Sequence, residues 1–423
     1  MTRPAPEPFT DPVAATAPDP AAEPVRTHED TPFPLVRSCP FTPPDDYAGM
    51  RERPGLTRAR IPSGKRPWLV TRHEDVRAAL SHPAASSDAR HPAFPALGDG
   101  EQAVAAELRP FIRMDPPDHT RVRRMLVGEF TVRRVRAMRP AIEAVCAEQV
   151  EYLLGRQTPA DLVADYANRV STTVICRLLG VPLDDLEFFR RITSISGSRD
   201  STAEEVNAAL GELFGLIDRL IDDKSKDPQD DLISRLATGP LARGEITRHS
   251  LLSQIGITLN AGHETSRNMI PLAALALLEH PDQMALLRED PDLWPGAVDE
   301  LLRYLSVADV ITLRVATEDI PLSSGTIPAG DGYIALLGAA DHDPEVFPEP
   351  ERLDVRRAQR NHVAFGYGTH QCVGQNLGRL EIEIALRVLF DRVPTLRSEL
   401  ALADLPARSS SAIFGLDEVP VSW

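Results

Sequence analysis

Apolar residues recur at three- and four-residue intervals through most of the chain between about 118 and 305, a spacing that predicts one helix after another. The longest such run covers 247–279 and would span roughly 50 Å if wholly helical. Thr247 stands where a helix cap would stand, and His280-Pro281 closes the run. Breaks fall at 182–185 and 226–231, both rich in proline and aspartate. Later the period changes to two. Thr312–Ala316, Ile320–Leu322, Thr326–Ile327 and Tyr333–Leu337 read as short strands, separated by glycine-bearing turns at 323–325 and 329–332. An earlier extended stretch, Pro67–Thr71, precedes a helix over Glu74–Leu80, and residues 83–101 read as a long loop. The expected fold is mainly α with a small β component.

Residues 1–40 are dense in Pro, Ala, Thr and acidic residues without periodicity and read as an irregular tail. Residues 41–423 lack linker signals and are expected to form a single domain. A net charge of −16 argues against nucleic acid as a partner. The apolar runs are too short or interrupted for a membrane span and the N-terminus lacks a basic segment before an apolar one, so a cytoplasmic location without membrane contact is expected. The four cysteines, Cys39, Cys146, Cys176 and Cys372, show no paired spacing and imply no disulfide framework.

Cys372 is the exception among them. It lies in Phe365-Gly366-Tyr367-Gly368-Thr369-His370-Gln371-Cys372-Val373-Gly374, a glycine-hinged loop just before an amphipathic helix. Amides of a tight turn and a helix N-terminus lower a thiol pKa, and Gly366, Gly368 and Gly374 let the backbone turn sharply beside a planar ligand. The loop lacks the Lys-Ser/Thr of a phosphate-binding loop, and His370 with Cys372 has no partner pair for zinc. In the long run, Ala261-Gly262-His263-Glu264-Thr265-Ser266 places a glycine, an acid and an alcohol inside a helix that should be buried. Thr265 can bond back to the carbonyl of Ala261 and leave a groove beside Gly262. Pro271 should kink the helix near Arg267.

The Cys372 loop resembles the haem-binding loop of the cytochrome P450 family, in which the cysteine thiolate is the proximal ligand of haem iron. The resemblance extends over nearly the whole chain after residue 40. It implies a single-domain cytochrome P450 fold with haem b between a long distal helix and the cysteine loop, with Phe365, Gly366, Gly374, Ala261 and Gly262 against the cofactor. Carried over, Glu264 relays protons and Thr265 holds the water or peroxide oxygen. His119, Arg123, Arg314 and His370 match positions that hold the haem propionates. Glu300 and Arg303 match a buried structural pair that takes a third arginine from a later Pro-Glu-Arg segment, here Pro350-Glu351-Arg352, so Glu300, Arg303 and Arg352 are assigned to scaffold.

The implied activity is that of a haem-thiolate monooxygenase of natural-product metabolism. It would hydroxylate or epoxidise a hydrophobic small molecule with two electrons supplied from outside. About fifty residues follow the loop, fewer than a typical domain, so electrons should come from NAD(P)H indirectly, through a ferredoxin reductase and a ferredoxin. Arg121, Arg123, Arg124, Arg133, Arg134, Arg136 and Arg139 stand against a single acid, Glu129, and would suit an acidic ferredoxin; a solvated helix face is the alternative. The protein should be a monomer. Walls for substrate are expected from Phe94, Leu97, Ile255, Leu259, Val307, Val310, Ile311, Ile413 and Phe414. Other outcomes of the same cofactor (phenol or C–C coupling, nitration, rearrangement) and a non-enzymatic haem sensor stay open at this level.

Overall fold

The 247–279 run folds as one helix, and its sequence explains how deeply it sits. A computed structural model describes residues 30–182, 188, 191–192, 195, 201–357, 360–408 and 412–423. Eight helices frame the site: α1 (His73–Ser81), α2 (Asp118–Val127), α3 (Arg139–Leu154), α4 (Asn168–Leu179), α5 (Ala203–Lys226), α6 (Arg248–Glu279), α7 (Trp294–Leu305) and α8 (Gln375–Arg392). Thr247 caps α6 by accepting from the Ser250 amide at 3.2 Å. From Asn268 to Leu277 every residue of α6 is buried, as a helix apolar on all sides requires. It packs on α4, α5, α7 and α8. Pro271 leaves the helix unbroken, because neighbours on every side hold the rod across the missing N–H. Most of the helical expectations therefore hold, and the break at 182–185 falls largely outside the described residues.

A six-stranded sheet lies beside the helices, built from β1 (Thr31–Pro32), β2 (Thr57–Arg60), β3 (Trp68–Val70), β4 (Ala85–Ser86), β5 (Leu313–Ala316) and β6 (Gly332–Ala335). The order is β1-β2-β3-β6-β5-β4. Alternation sorts the side chains by face: Leu69, Leu313, Val315 and Ile334 enter one core cluster, whereas Val70, Ala316, Tyr333 and Ala335 enter another. Arg314, between Leu313 and Val315, lies directly opposite Tyr333 in register. The Tyr333 hydroxyl donates to the Ala79 carbonyl of α1 at 2.8 Å, which ties this face to α1.

Two expectations change here. Order begins before residue 40, since Thr31 and Pro32 pair with Ala59 and Arg60 and Phe33 is buried. Arg37, also in the expected tail, donates to the carbonyls of Leu305 (2.8 Å) and Ser306 (2.7 Å) and so satisfies the end of α7. The segment 83–101 is not all loop: β4 pairs with β5, and a helix starts at Asp99.

Candidate active site

Cys372 is held by a loop whose glycines do different jobs. Gly366 and Gly368 adopt left-handed backbone, φ 68° and 71°, which a side chain resists. A Cβ at Gly368 would also lie 2.7 Å from the Leu80 carbonyl oxygen, so the loop leans directly on α1. Gly374 has φ −84° and a Cβ there would meet only ordinary contacts, so it does not supply the sharp turn the sequence suggests. The Cys372 amide donates to the Phe365 carbonyl at 2.9 Å, closing the loop. Cys372 is exposed although protein surrounds it, as at the floor of a hollow. Burial pushes its thiol pKa up, and the Gly374 amide, Arg123, Arg379 and the Gln375 amide pull the other way without cancelling it. The lowered pKa expected from the sequence is thus outweighed by desolvation.

Next to this loop, buried polar nitrogens converge without hydrogen-bond partners. The rings of His119 (α2) and His370 lie 4.0 Å apart, centroid to centroid. Both ring nitrogens of His119, Nδ1 of His370 and Nε of Arg314 are buried with no hydrogen-bond partner. Leaving such groups unpaired is costly, and a native site pairs them. Burial, followed by Arg123 and Arg314, pushes His119 down to about 4, and burial, followed by Arg314 and His119, pushes His370 down to about 2. The two imidazoles are therefore neutral at neutral pH, and the positive charge comes from Arg123 and from Arg314, itself lowered to about 10 by burial. Arg123 also donates to the Gln371 carbonyl at 2.5 Å, pinning α2 to the cysteine loop. Such a set fits a ligand carrying two carboxylates above a thiolate. Haem is that kind of ligand. Sequence reasoning missed Arg113, whose charge acts on Arg314 and His370 and whose guanidinium sits 5.0 Å over the Phe94 ring. An arginine inside the apolar stretch Phe111-Ile112-Arg113-Met114 was the available signal.

On α6, Ala261 is exposed and Ile257 and Thr265 are partly exposed, each four residues from the next and so on one face, with Asn260 and Gly262 partly exposed beside them. His263, Glu264 and Ser266 around them are buried. Thr265 Oγ1 donates to the Ala261 carbonyl at 2.8 Å, the back-bond the sequence suggests. Gly262 serves packing on its Cβ side, since a Cβ there would lie 2.6 Å from Ile175 Cδ1 on α4, so no groove opens in that direction. Glu264 turns away from the Thr265 face. Its Oε2 accepts from Arg408 at 3.0 Å and from Asn268 Nδ2 at 3.4 Å, whereas Oε1 faces His263 Nε2 at 3.9 Å. Nothing in the sequence near Arg408 points to that pairing, because it spans 144 residues.

A sequence profile of the family described as Cytochrome P450 matches residues 186–392. Vitamin D3 dihydroxylase of Streptomyces griseolus is 44% identical over 92% of this chain and 96% of its own length. This chain belongs to the cytochrome P450 family. Mycinamicin VIII C21 methyl hydroxylase of Micromonospora griseorubida is also 44% identical, over 92% of the chain and 99% of its own length. The crystal structure of CYP105N1 from Streptomyces coelicolor superposes with a TM-score of 0.87 at 56% identity, covering 93% of this chain and 98% of that one. The protein is therefore an enzyme of the monooxygenase type with a haem cofactor. Among the described residues, no helix is long and apolar enough to cross a membrane.

Within this cytochrome P450 the expected substrate walls divide. Phe94, Leu97, Ile255, Leu259 and Val307 are sealed in the core, none more than 7% exposed. Ile255 and Leu259 fail for a geometric reason: Leu259 is two residues from both Ile257 and Ala261, about 200° around the helix from the open face. Ile257 is the wall residue that helical geometry would have chosen. Val310, Ile311, Ile413 and Phe414 stay partly exposed, and the Phe414 amide donates to the Val307 carbonyl at 2.8 Å.

The scaffold cluster keeps Glu300 and Arg303, joined by hydrogen bonds of 2.8 and 2.9 Å, but not the expected third arginine. Arg357 Nε donates to Glu300 at 3.0 Å, while the Arg352 side chain reaches outward to Glu349 at 3.5 Å. Only the Arg352 carbonyl enters the cluster, accepting from Arg303 at 3.4 Å. The basic segment is likewise narrower than its count suggests. Arg121, Arg134 and Arg139 are engaged by Asp118, by Glu129 and Asp230, and by Glu143 and Glu383. Arg124, Arg133 and Arg136 are exposed and make no ion pair among the described residues, and Val127 and Val132 are exposed in the same segment.

Proposed function

We propose that this cytochrome P450 hydroxylates or epoxidises an amphipathic natural-product intermediate, drawing electrons from NAD(P)H through a ferredoxin reductase and a ferredoxin. The observation that carries the reading is the open Ile257–Ala261–Thr265 face, mostly apolar, with the Thr265 hydroxyl on it and Asn260 partly exposed at its edge. It suits an oily molecule and one oriented water. Relatives named for vitamin D3 and mycinamicin VIII support this substrate class, as does a 55% identical structure described as an oxidase in the coelibactin siderophore pathway.

When bound, haem b supplies the activation of dioxygen; the protein supplies position and protons. Cys372 would ligate the iron, and Arg123, Arg314, His119 and His370 would hold the propionates. Thr265 has committed its hydrogen to the Ala261 carbonyl, so Oγ1 offers lone pairs and holds a water by accepting from it. Glu264 would have to swing its carboxylate out of the Arg408 and Asn268 bonds towards the Thr265 face to pass a proton to that water, so the relay works through that movement. Val310, Ile311, Ile413 and Phe414 exclude bulk water on the substrate side.

Titrating the holoenzyme with candidate amphipathic compounds is expected to give a substrate-induced spin shift, and NAD(P)H, reductase and ferredoxin together should yield oxygenated product. Absence of both across such a panel would overturn the substrate class. A Thr265→Ala variant should bind substrate unchanged yet divert most reducing equivalents to peroxide; a wild-type ratio of product to NAD(P)H consumed would remove the relay.

The same reading takes the protein as a cytoplasmic monomer that meets its ferredoxin through Arg124, Arg133 and Arg136, with Val127 and Val132 as the apolar part of the contact. Reversing Arg124 and Arg133 to glutamate should raise the KM for ferredoxin by about tenfold and flatten its salt dependence. Unchanged KM and salt slope would exclude this surface.

A further inference from the structure

One buried carboxylate holds both ends of the loop that carries Cys372. Asp299, on α7 immediately before Glu300, is 4% exposed. Its Oδ1 accepts from His362 Nε2 at 3.2 Å, ahead of the loop, and from Arg379 Nε at 2.6 Å, on α8 beyond it. Arg360 adds a looser ion pair at 3.5 Å. Burial raises the Asp299 pKa, but the bonds from His362 and Arg379 outweigh it and the net direction is down, so the carboxylate stays charged. Its neighbour Glu300 serves a different cluster, that of Arg303 and Arg357. Consecutive acids on one helix thus fasten two separate parts of the chain.

Arg379 connects this anchor to the ligand. Its guanidinium lies 4.5 Å from the centroid of the Phe365 ring, and its NH1 donates to Gln375 Oε1 at 3.1 Å. Phe365 in turn accepts the Cys372 amide on its carbonyl, and the positive charge of Arg379 acts on the Cys372 sulfur. The guanidinium is a fixed cation within electrostatic reach of the sulfur, and Asp299 both orients it and offsets its charge.

We propose that Asp299 and Arg379 form a positioning pair that sets the electronic environment of the haem thiolate, with Asp299 aiming and balancing the Arg379 cation behind Phe365. The proposal rests on Cys372 being the iron ligand, which its own serine variant tests independently. A cation near the iron favours the reduced state and a carboxylate opposes it. The two single variants therefore act with opposite sign. Asp299→Asn leaves Arg379 unbalanced and raises the reduction potential of the bound haem; Arg379→Gln leaves Asp299 with only the looser Arg360 pair and the His362 bond and lowers it. The double variant returns towards the wild-type value.

The experiment is a spectroelectrochemical titration of the substrate-free holoenzyme and these variants, together with the decay of the thiolate-type CO band of the reduced protein. The band should decay about tenfold faster in Arg379→Gln, because a charge-assisted anchor of the loop is lost. Arg379→Lys keeps the charge and gives up the planar fork, so it should hold the potential near wild type while the band still decays faster. Where Asp299→Asn does not load haem, the lysine and glutamine variants of Arg379 decide the matter alone. Potentials that move in the same direction in both single variants, or equal potentials in Arg379→Lys and Arg379→Gln, would reduce the pair to ordinary packing and overturn the proposal.

Discussion

Cys372→Ser is expected to reduce monooxygenase turnover to background and to remove the red-shifted Soret band that a thiolate-ligated haem gives when reduced and bound to CO. Serine keeps the size of cysteine but not its polarisable, ionisable sulfur, so the loop closed by the Cys372 amide and Phe365 carbonyl should survive. Because the sulfur sits at an exposed position rather than in the packed core, little stability should be lost with it. The informative comparison is therefore between a folded protein and a changed spectrum. Retention of the band in Cys372→Ser would mean that another residue ligates the iron, and the assignment of the pocket would fail.

Arg408→Leu is expected to show the next largest effect, and on two separable properties. Glu264 and Arg408 are both buried, with side chains 6% and 8% exposed. Removing one partner of such a pair strands the other charge, at a cost of about 3–5 kcal/mol in urea unfolding of the holoenzyme. Coupling of NAD(P)H consumption to product should fall as well, since Glu264 would then seek other partners. Combining Arg408→Leu with Glu264→Gln should restore much of the stability, because no charge is left unpaired, without restoring the coupling. Equal recovery of both would show that Glu264 has only a structural part, and no stability loss in Arg408→Leu would show that the pair is not closed in solution.

What was legible in the sequence follows from the range of the interactions. The fold class, the capped distal helix and the Thr265 back-bond depend on residues a few positions apart, and periodicity and cap chemistry report them. The glycine-hinged loop around Cys372, with its left-handed Gly366 and Gly368, was legible for the same reason, whereas the turn expected at Gly374 is not formed. Arg357 was misread as Arg352 because several arginines crowd the segment 352–360, and which one turns inward is decided by packing around Glu300. Arg408 and the bond from Arg37 to α7 join segments far apart in the chain and leave no local trace. The error at Ile255 and Leu259 is of another kind: the open face through Ala261 and Thr265 already dictated Ile257 by helical geometry.

The grips around the Cys372 pocket also carry a timing. His119 and Arg123 are translated early, Arg314 nearly two hundred residues later by simple count of the chain, and His370 and Cys372 later still, with Arg408 after them. At ordinary synthesis rates the N-terminal grips wait on the order of ten seconds or more for their counterparts. During that interval the His119 imidazole and the Arg123 guanidinium can stay hydrated, since the elements that bury them have not yet arrived. With Cys372 as the proposed iron ligand, a nascent fragment that stalls before residue 372 would lack that ligand, and correct loading of the cofactor would wait for a nearly finished chain.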